Sequence, residues 1–142
     1  MYFLFDIDGT LTPPRQKMEG GYAMSFLSWM ADKNVYLVTG SDRKKIFQQL
    51  PSSILSRCKG IFTCMGNEYY DNTRDGLIYS NAWNVPSTLL NDLNNFVLDS
   101  DYDTKRGIHI EHRPGMINFS VVGRAAQKME RDRYSDWDSE NK

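Results

Sequence analysis

No apolar run in the 142-residue sequence approaches membrane-spanning length, so no membrane partner is expected. An export signal is also missing. The N-terminus enters an apolar strand pattern at once, without a basic region, an apolar segment and a cleavage site in that order, and a cytoplasmic protein is expected. Cysteine is scarce: Cys58 and Cys64 are the two thiols. Two do not make a disulfide framework, and reduced core or near-core positions account for them most simply. Charge of one sign is not in excess either. A net charge of −1 gives no pointer to nucleic acid. Internal repeats and low-complexity tracts are absent. What is present is an ordinary globular balance of 40% hydrophobic and 25% charged residues, in a length that suits one small domain or two incomplete ones.

Against that background one stretch stands out, Phe3-Leu4-Phe5-Asp6-Ile7-Asp8-Gly9-Thr10-Leu11-Thr12. The apolar run from Tyr2 to Phe5 has the length and aromatic content of a buried strand. It ends in two carboxylates two residues apart, and Gly9 supplies the freedom to turn the chain. Two acids are thereby held at the carboxyl end of a strand, where open α/β sheets place their ligands. Such a pair can divide labour. One carboxylate attacks phosphorus, and the other gives and takes the proton of the leaving or attacking oxygen. Mg2+ fits the pair, because it takes oxygen ligands and binds through one or two carboxylates plus phosphate. The plainer alternative is a strand-turn with aspartate at the turn.

Pro13-Pro14 excludes helix interior and fixes an extended loop carrying Arg15, either solvated or reaching back to a phosphate. Ala23, Phe26, Leu27 and Met30 recur at helical spacing, and Val35 to Thr39 reads as a second buried strand. A strand-helix-strand order of this length predicts a right-handed βαβ unit with parallel strands, and a three-layer core over residues 1–80. The second strand ends in Thr39-Gly40-Ser41-Asp42, where Ser41 or Asp42 caps the next helix and the turn can face an anion. Gly60 to Cys64 reads as a third strand, and Glu68 to Tyr70 with Leu77 to Tyr79 as a hairpin. Asn81 to Pro86 reads as a linker. Past it come a helix with Leu89, Leu90, Leu93, Phe96 and Val97 on one face, then a hairpin turning at Pro114-Gly115. Period-two alternation puts His109, Glu111 and Arg113, and Met116, Asn118 and Ser120, on its polar face, open to a ligand or to solvent. The C-terminal run through Trp137 and Asp138 reads as a charged helical or frayed end.

The whole chain resembles the eukaryotic-type phosphomannomutase family of the haloacid dehalogenase-like superfamily. The likeness runs from Phe5 to about Lys142, through F-D-I-D-G-T-L-T-P-x-R-Q-K, G-S-D with Q-x-L, and the N-E region. It ends in K-R-G-x-x-I-E-x-R-x-G-M-x-N-x-S-x-x-G-R, the most specific block. The resemblance implies an α/β fold: a Rossmannoid core with a parallel sheet (residues 1–80) and a partial α+β cap of antiparallel hairpin and helices (81–142). It implies Asp6 as nucleophile, Asp8 as acid/base, and Mg2+ held by Asp6 and the Asp8 backbone. Phosphate and sugar would be held by Arg15, Thr39, Ser41, Arg113, Met116, Asn118, Arg124 and Arg131. The implied reaction interconverts mannose 6-phosphate and mannose 1-phosphate, supplying GDP-mannose, with a homodimer through the cap. A sugar-phosphate phosphatase and a non-catalytic sugar-phosphate binder are the alternatives. The family commonly has two glycines before Ser-Asp, and here Thr39 replaces the first. The third-motif lysine, the fourth-motif acids and the later core strands have no counterpart, so a truncated or split form, completed by a second chain, is expected.

Overall fold

Parallel pairing of the first two apolar runs sets the architecture. The computed structural model describes residues 1–74 and 76–141. Asp75, inside the expected connection of the first hairpin, and Lys142, at the expected end of the cap, lie outside the described residues. The chain divides into two compact units, Met1–Ala82 and Trp83–Lys142.

In the first unit β1 (Tyr2–Asp6) lies parallel to β2 (Asn34–Val38), with Asp6 beside Val38. β2 lies parallel to β3 (Gly60–Thr63), and β4 (Glu68–Asp71) and β5 (Gly76–Ser80) continue antiparallel. The strand order is β1-β2-β3-β4-β5. Three helices pack on this sheet: α1 (Gly20–Trp29), α2 (Arg43–Gln49) and α3 (Ser52–Arg57). Their buried residues, Ala23, Phe26, Ile46, Ile54 and Leu55, join Val35, Leu37 and Ile61 in one core, with Phe3, Phe5 and Leu27 packed against it. Phe5 meets Phe26 and Trp29 edge-on at ring separations of 5.2 and 5.6 Å. Asn72 ties the hairpin to α3 by donating to the carbonyls of Leu55 and Cys58 at 2.7 and 3.0 Å.

Two expectations are corrected here. β1 is an edge strand rather than a buried one. Its burial alternates, and Tyr2 and Leu4 are 71% and 62% exposed. The core of this unit also has two layers rather than three. Right-handed crossovers that advance in one direction along a sheet, β1 to β2 to β3, put every connecting helix on the same face. Val35, Leu37 and Ile61 are therefore covered, while the alternate positions on β1 are open. Both cysteines are buried free thiols, and burial pushes Cys58 up to about 12.

The second unit holds α4 (Ser87–Asp99), a two-stranded sheet of β6 (Ile110–Arg113) and β7 (Met116–Phe119), and α5 (Lys128–Glu140). The expected apolar face of α4 buries only Val97 fully, and Phe96 meets Phe119 edge-on at 5.9 Å. The C-terminal run is not a frayed end. Tyr134 and Trp137, three apart on α5, pack on Tyr102 at ring separations of 5.0 and 5.2 Å. Tyr102, Val121, Val122 and Ala126 are the buried centre. A capping box starts α5: Gln127 N–H donates to Glu130 Oε2 at 2.8 Å, and Arg106 Nε donates to Oε1 of the same carboxylate at 2.8 Å.

Gly123 has φ +87°, and an added Cβ would lie 2.0 Å from the Arg106 carbonyl oxygen. The left-handed backbone alone costs other residues about 1–2 kcal/mol, and the clash adds about 1–3 kcal/mol. Gly123→Ala should therefore lower unfolding free energy by about 3 kcal/mol in urea melts. The Glu130 carboxyl is held below the usual carboxylate range, first by the Gln127 N–H and then by Arg106. A depressed folded pKa contributes stability above the unfolded pKa, and that stability is lost as pH falls through the folded one. Glu130→Gln should melt below wild type at neutral pH, and the gap should close in the acid range below about pH 4.3.

Candidate active site

The site is built around a loop wound on one carbonyl. Ile7 is fully buried, and its C=O accepts from the N–H groups of Thr10, Leu11 and Thr12 at 3.2, 3.0 and 2.9 Å. The Thr12 hydroxyl adds a fourth bond at 3.3 Å. Gly9, at φ +85°, closes the turn with N–H to Thr12 C=O at 2.7 Å. Asp6 and Asp8 flank this fixed point. Asp6 is exposed at the end of β1, and Asp8 is half-buried. Asp8 Oδ1 accepts twice at 2.7 Å, from the Arg15 backbone N–H and from Gln49 Nε2. Arg15 delivers its N–H from a left-handed backbone, φ 61°, and its side chain is exposed.

The loop after β2 stands beside Asp6, because Asp6 and Val38 are register partners. Thr39 is buried, and its hydroxyl oxygen accepts from Ser41 N–H at 3.1 Å. Asp42 caps α2, accepting from Lys45 N–H at 2.9 Å. The turn after β3 clamps this loop. Cys64 N–H donates to Ser41 C=O at 3.0 Å, and Met65 N–H to Thr39 C=O at 3.1 Å. Cys64 and Met65 both hold left-handed backbones, φ 50° and 58°, a conformation that costs non-glycine residues about 1–2 kcal/mol each. Strand ends, loop and clamp thus gather Asp6, Asp8, Thr39 and Ser41 at one edge of the sheet. A cavity of about 450 Å3 borders the wound loop, lined by Gly9, Thr10, Thr12, Pro14, Glu19 and Tyr22 among others.

In the second unit the expected polar face is present but closed by an ion cluster. The register pairs Glu111 with Asn118 and Arg113 with Met116. Glu111 Oε2 accepts from Arg113 Nη2 at 2.9 Å and from Arg124 Nε at 3.0 Å. With its amide oxygen turned to the guanidinium, Asn118 accepts from Arg113 Nη1 and Nη2 at 3.0 and 3.2 Å. The Arg113 side chain is only 5% exposed. Arg131 lies outside the cluster, donating from Nη1 to Ala126 C=O at 2.6 Å. Two residues of the site had no place in the sequence-based set. Gln49 shares a helix face with Ile46 and Leu50, and an amide at an apolar-face position is a detectable signal. Glu111 bonds Arg113 of the polar face and Arg124 beyond β7, and the alternation already put it on that face. Among the described residues no three His, Cys, Asp or Glu side chains group to hold a metal, and no helix is long and apolar enough to cross a membrane.

Paired carboxylates at the carboxyl end of the first parallel strand of an α/β sheet are the arrangement of the haloacid dehalogenase-like class. The sequence pattern of eukaryotic phosphomannomutase matches residues 25–142, and the chain belongs to that family. A phosphomannomutase of Dendrobium officinale is 37% identical over 95% of this chain and 55% of its own. Phosphomannomutase 1 of Homo sapiens is 34% identical over 98% and 55%. The chain thus spans about half the length of the curated relatives it matches. Among solved structures, a haloacid dehalogenase-like hydrolase from Bacteroides thetaiotaomicron has a TM-score of 0.47 at 14% identity, over 68% of this chain and 38% of its own.

Glu111 bonds two cations, one of them nearly buried, so its removal should leave Arg113 poorly compensated. Glu111→Ala is expected to destabilise the second unit by about 1–3 kcal/mol, discounted for the part of Glu111 that solvent reaches. Chemical denaturation followed by tryptophan fluorescence, with Trp29→Phe and Trp83→Phe in both proteins so that Trp137 alone emits, measures it.

Proposed function

We propose that this chain carries the nucleophile and proton-transfer groups of a phosphomannomutase, which interconverts mannose 6-phosphate and mannose 1-phosphate for GDP-mannose supply in the cytoplasm. The observation that carries this is the exposed Asp6 at the end of β1 beside an Asp8 carboxylate already held by two donors. An Asp6 oxygen attacks the phosphoryl phosphorus while the bond to the sugar oxygen breaks, and Asp8 gives that oxygen its proton. In the return step a sugar hydroxyl attacks the aspartyl-phosphate, Asp8 takes the proton, and Asp6 is released. Thr39 and Ser41 flank the transferring group, and Arg15 lies on the adjoining loop. Arg113, Met116, Asn118, Arg124 and Arg131 are the second unit's residues for holding phosphate and sugar.

Asp6 and the Asp8 carbonyl are hard oxygen donors, and two protein ligands with the remaining positions left to phosphate and water suit Mg2+. Bound there, the ion offsets repulsion between carboxylate and phosphate. The third-motif lysine and fourth-motif acids have no counterpart among these 142 residues, and a dimer through the cap accompanies the assignment.

The test is covalent labelling. With sugar phosphate radiolabelled on phosphorus, Mg2+ and a second chain carrying the missing lysine and acids, acid quenching should trap label on the wild-type chain, and Asp6→Asn should trap none while melting within a few degrees of wild type. Label retained by Asp6→Asn would sink the nucleophile assignment. Release of free phosphate in place of isomerised sugar phosphate would make the chain a phosphatase.

A further inference from the structure

We propose that Gln49 is a positioning residue for proton transfer, holding the Asp8 carboxylate in one orientation from 41 residues away; this rests on Asp8 being the proton-transfer group. Gln49 is the last residue of α2 and only 7% exposed, on the face that buries Ile46 and Leu50. A buried amide costs stability unless its polar atoms are bonded. Its Nε2 lies 2.7 Å from Asp8 Oδ1, but 3.4 Å from both Thr12 Oγ1 and the Gln16 carbonyl. The short bond goes to the carboxylate, and the two long ones go to the loop. Its own carbonyl accepts from Met18 N–H at 2.8 Å, so the end of α2 is anchored independently of the amide.

The second donor on Asp8, the Arg15 N–H, converges on the same oxygen at 2.7 Å. Two N–H groups on Oδ1 leave Oδ2 without either bond, and Oδ2 is the oxygen that meets the sugar hydroxyl. An aspartate side chain has three staggered wells about its Cα–Cβ bond, and a carboxylate held by one donor exchanges between them more readily than one held by two. Arg15 alone supplies one donor, from a loop held in a left-handed backbone. Gln49 supplies the other from a core helix position. It thereby couples the end of α2 to the carboxylate without touching substrate.

The experiment compares the 142-residue chain with Gln49→Met, which keeps length and fills the space with apolar atoms, and Gln49→Asn, which keeps the amide one methylene too short. NMR three-bond couplings between the α and β protons of Asp8 report its rotamer, with or without turnover. One rotamer is expected in wild type, and averaging in both variants, with amide spectra otherwise native. In single-turnover reactions with sugar phosphate, phosphoryl transfer to and from Asp6 should slow by about 100-fold, as for a misplaced reacting group. The concentration that gives the half-maximal single-turnover rate should stay unchanged. An Asp8 that keeps one rotamer in both variants, or transfer at wild-type rate, overturns the proposal. A wild-type chain that forms no aspartyl-phosphate even when the second chain is supplied would refute the functional proposal instead, and the couplings would still decide the role of Gln49.

Discussion

The carbonyl of Ile7 is the point on which the first unit depends. Ile7 is wholly buried, between one exposed and one half-buried carboxylate, and four donors from Thr10, Leu11 and Thr12 converge on its oxygen. Winding three residues around one acceptor satisfies backbone groups that a buried turn would otherwise strand. It also fixes where each neighbour points. Asp6 stays with the strand and inherits its register against β2, whereas Asp8 leaves the strand and faces the end of α2. Two acids one residue either side of Ile7 thus acquire different environments from a single anchored carbonyl. Different surroundings are what a division between nucleophile and proton carrier requires.

The direction in which the sheet grows has a further effect. Both crossovers run the same way from β1, so one helical layer forms and β1 stays at an edge. The strand that ends in Asp6 is therefore the least covered of the three parallel strands, with Tyr2 and Leu4 largely in solvent. An exposed edge and an apolar face are features that natural sheets usually cover or blunt. Local rigidity comes instead from the carboxyl end of the sheet. There the strained Cys64–Met65 turn clamps the loop of Thr39 and Ser41, and Gln49 reaches Asp8. The site is stiffened by its own loops more than by the strand that leads into it.

Much of this was legible in the sequence, for physical reasons that differ from element to element. Ala23, Phe26 and Met30 have helical period and are buried. The alternation around Pro114-Gly115 gave both strands of the hairpin and the face shared by Glu111, Arg113, Met116 and Asn118. Layer number was not legible, because periodicity says that a strand is apolar and not which of its faces will find a partner. The apolar run at β1 looked doubly buried for that reason. The aromatic contacts of α5 were hidden by its charge: Tyr134 and Trp137 are spaced to share a face, but the acids and arginines around them dominate the composition. Side-chain bonds such as Gln49 to Asp8 join residues far apart in the chain, and no local pattern encodes the distance between them.

The cluster of Glu111, Arg113, Asn118 and Arg124 shows how a cation site can be stable before it has a ligand. A guanidinium as enclosed as that of Arg113 carries a large desolvation cost unless its charge and N–H groups are matched. Glu111 matches it and, through the same oxygen, also holds Arg124. Asn118 adds a neutral acceptor that leaves the charge balance untouched. Shared acceptors thus hold two long side chains in place, an ordering that otherwise costs about 0.5–1.5 kcal/mol for each when a ligand arrives. Under the proposed function a phosphate competes with Glu111 for the same donors, so the acid lowers the attraction of the site and raises its preorganisation together.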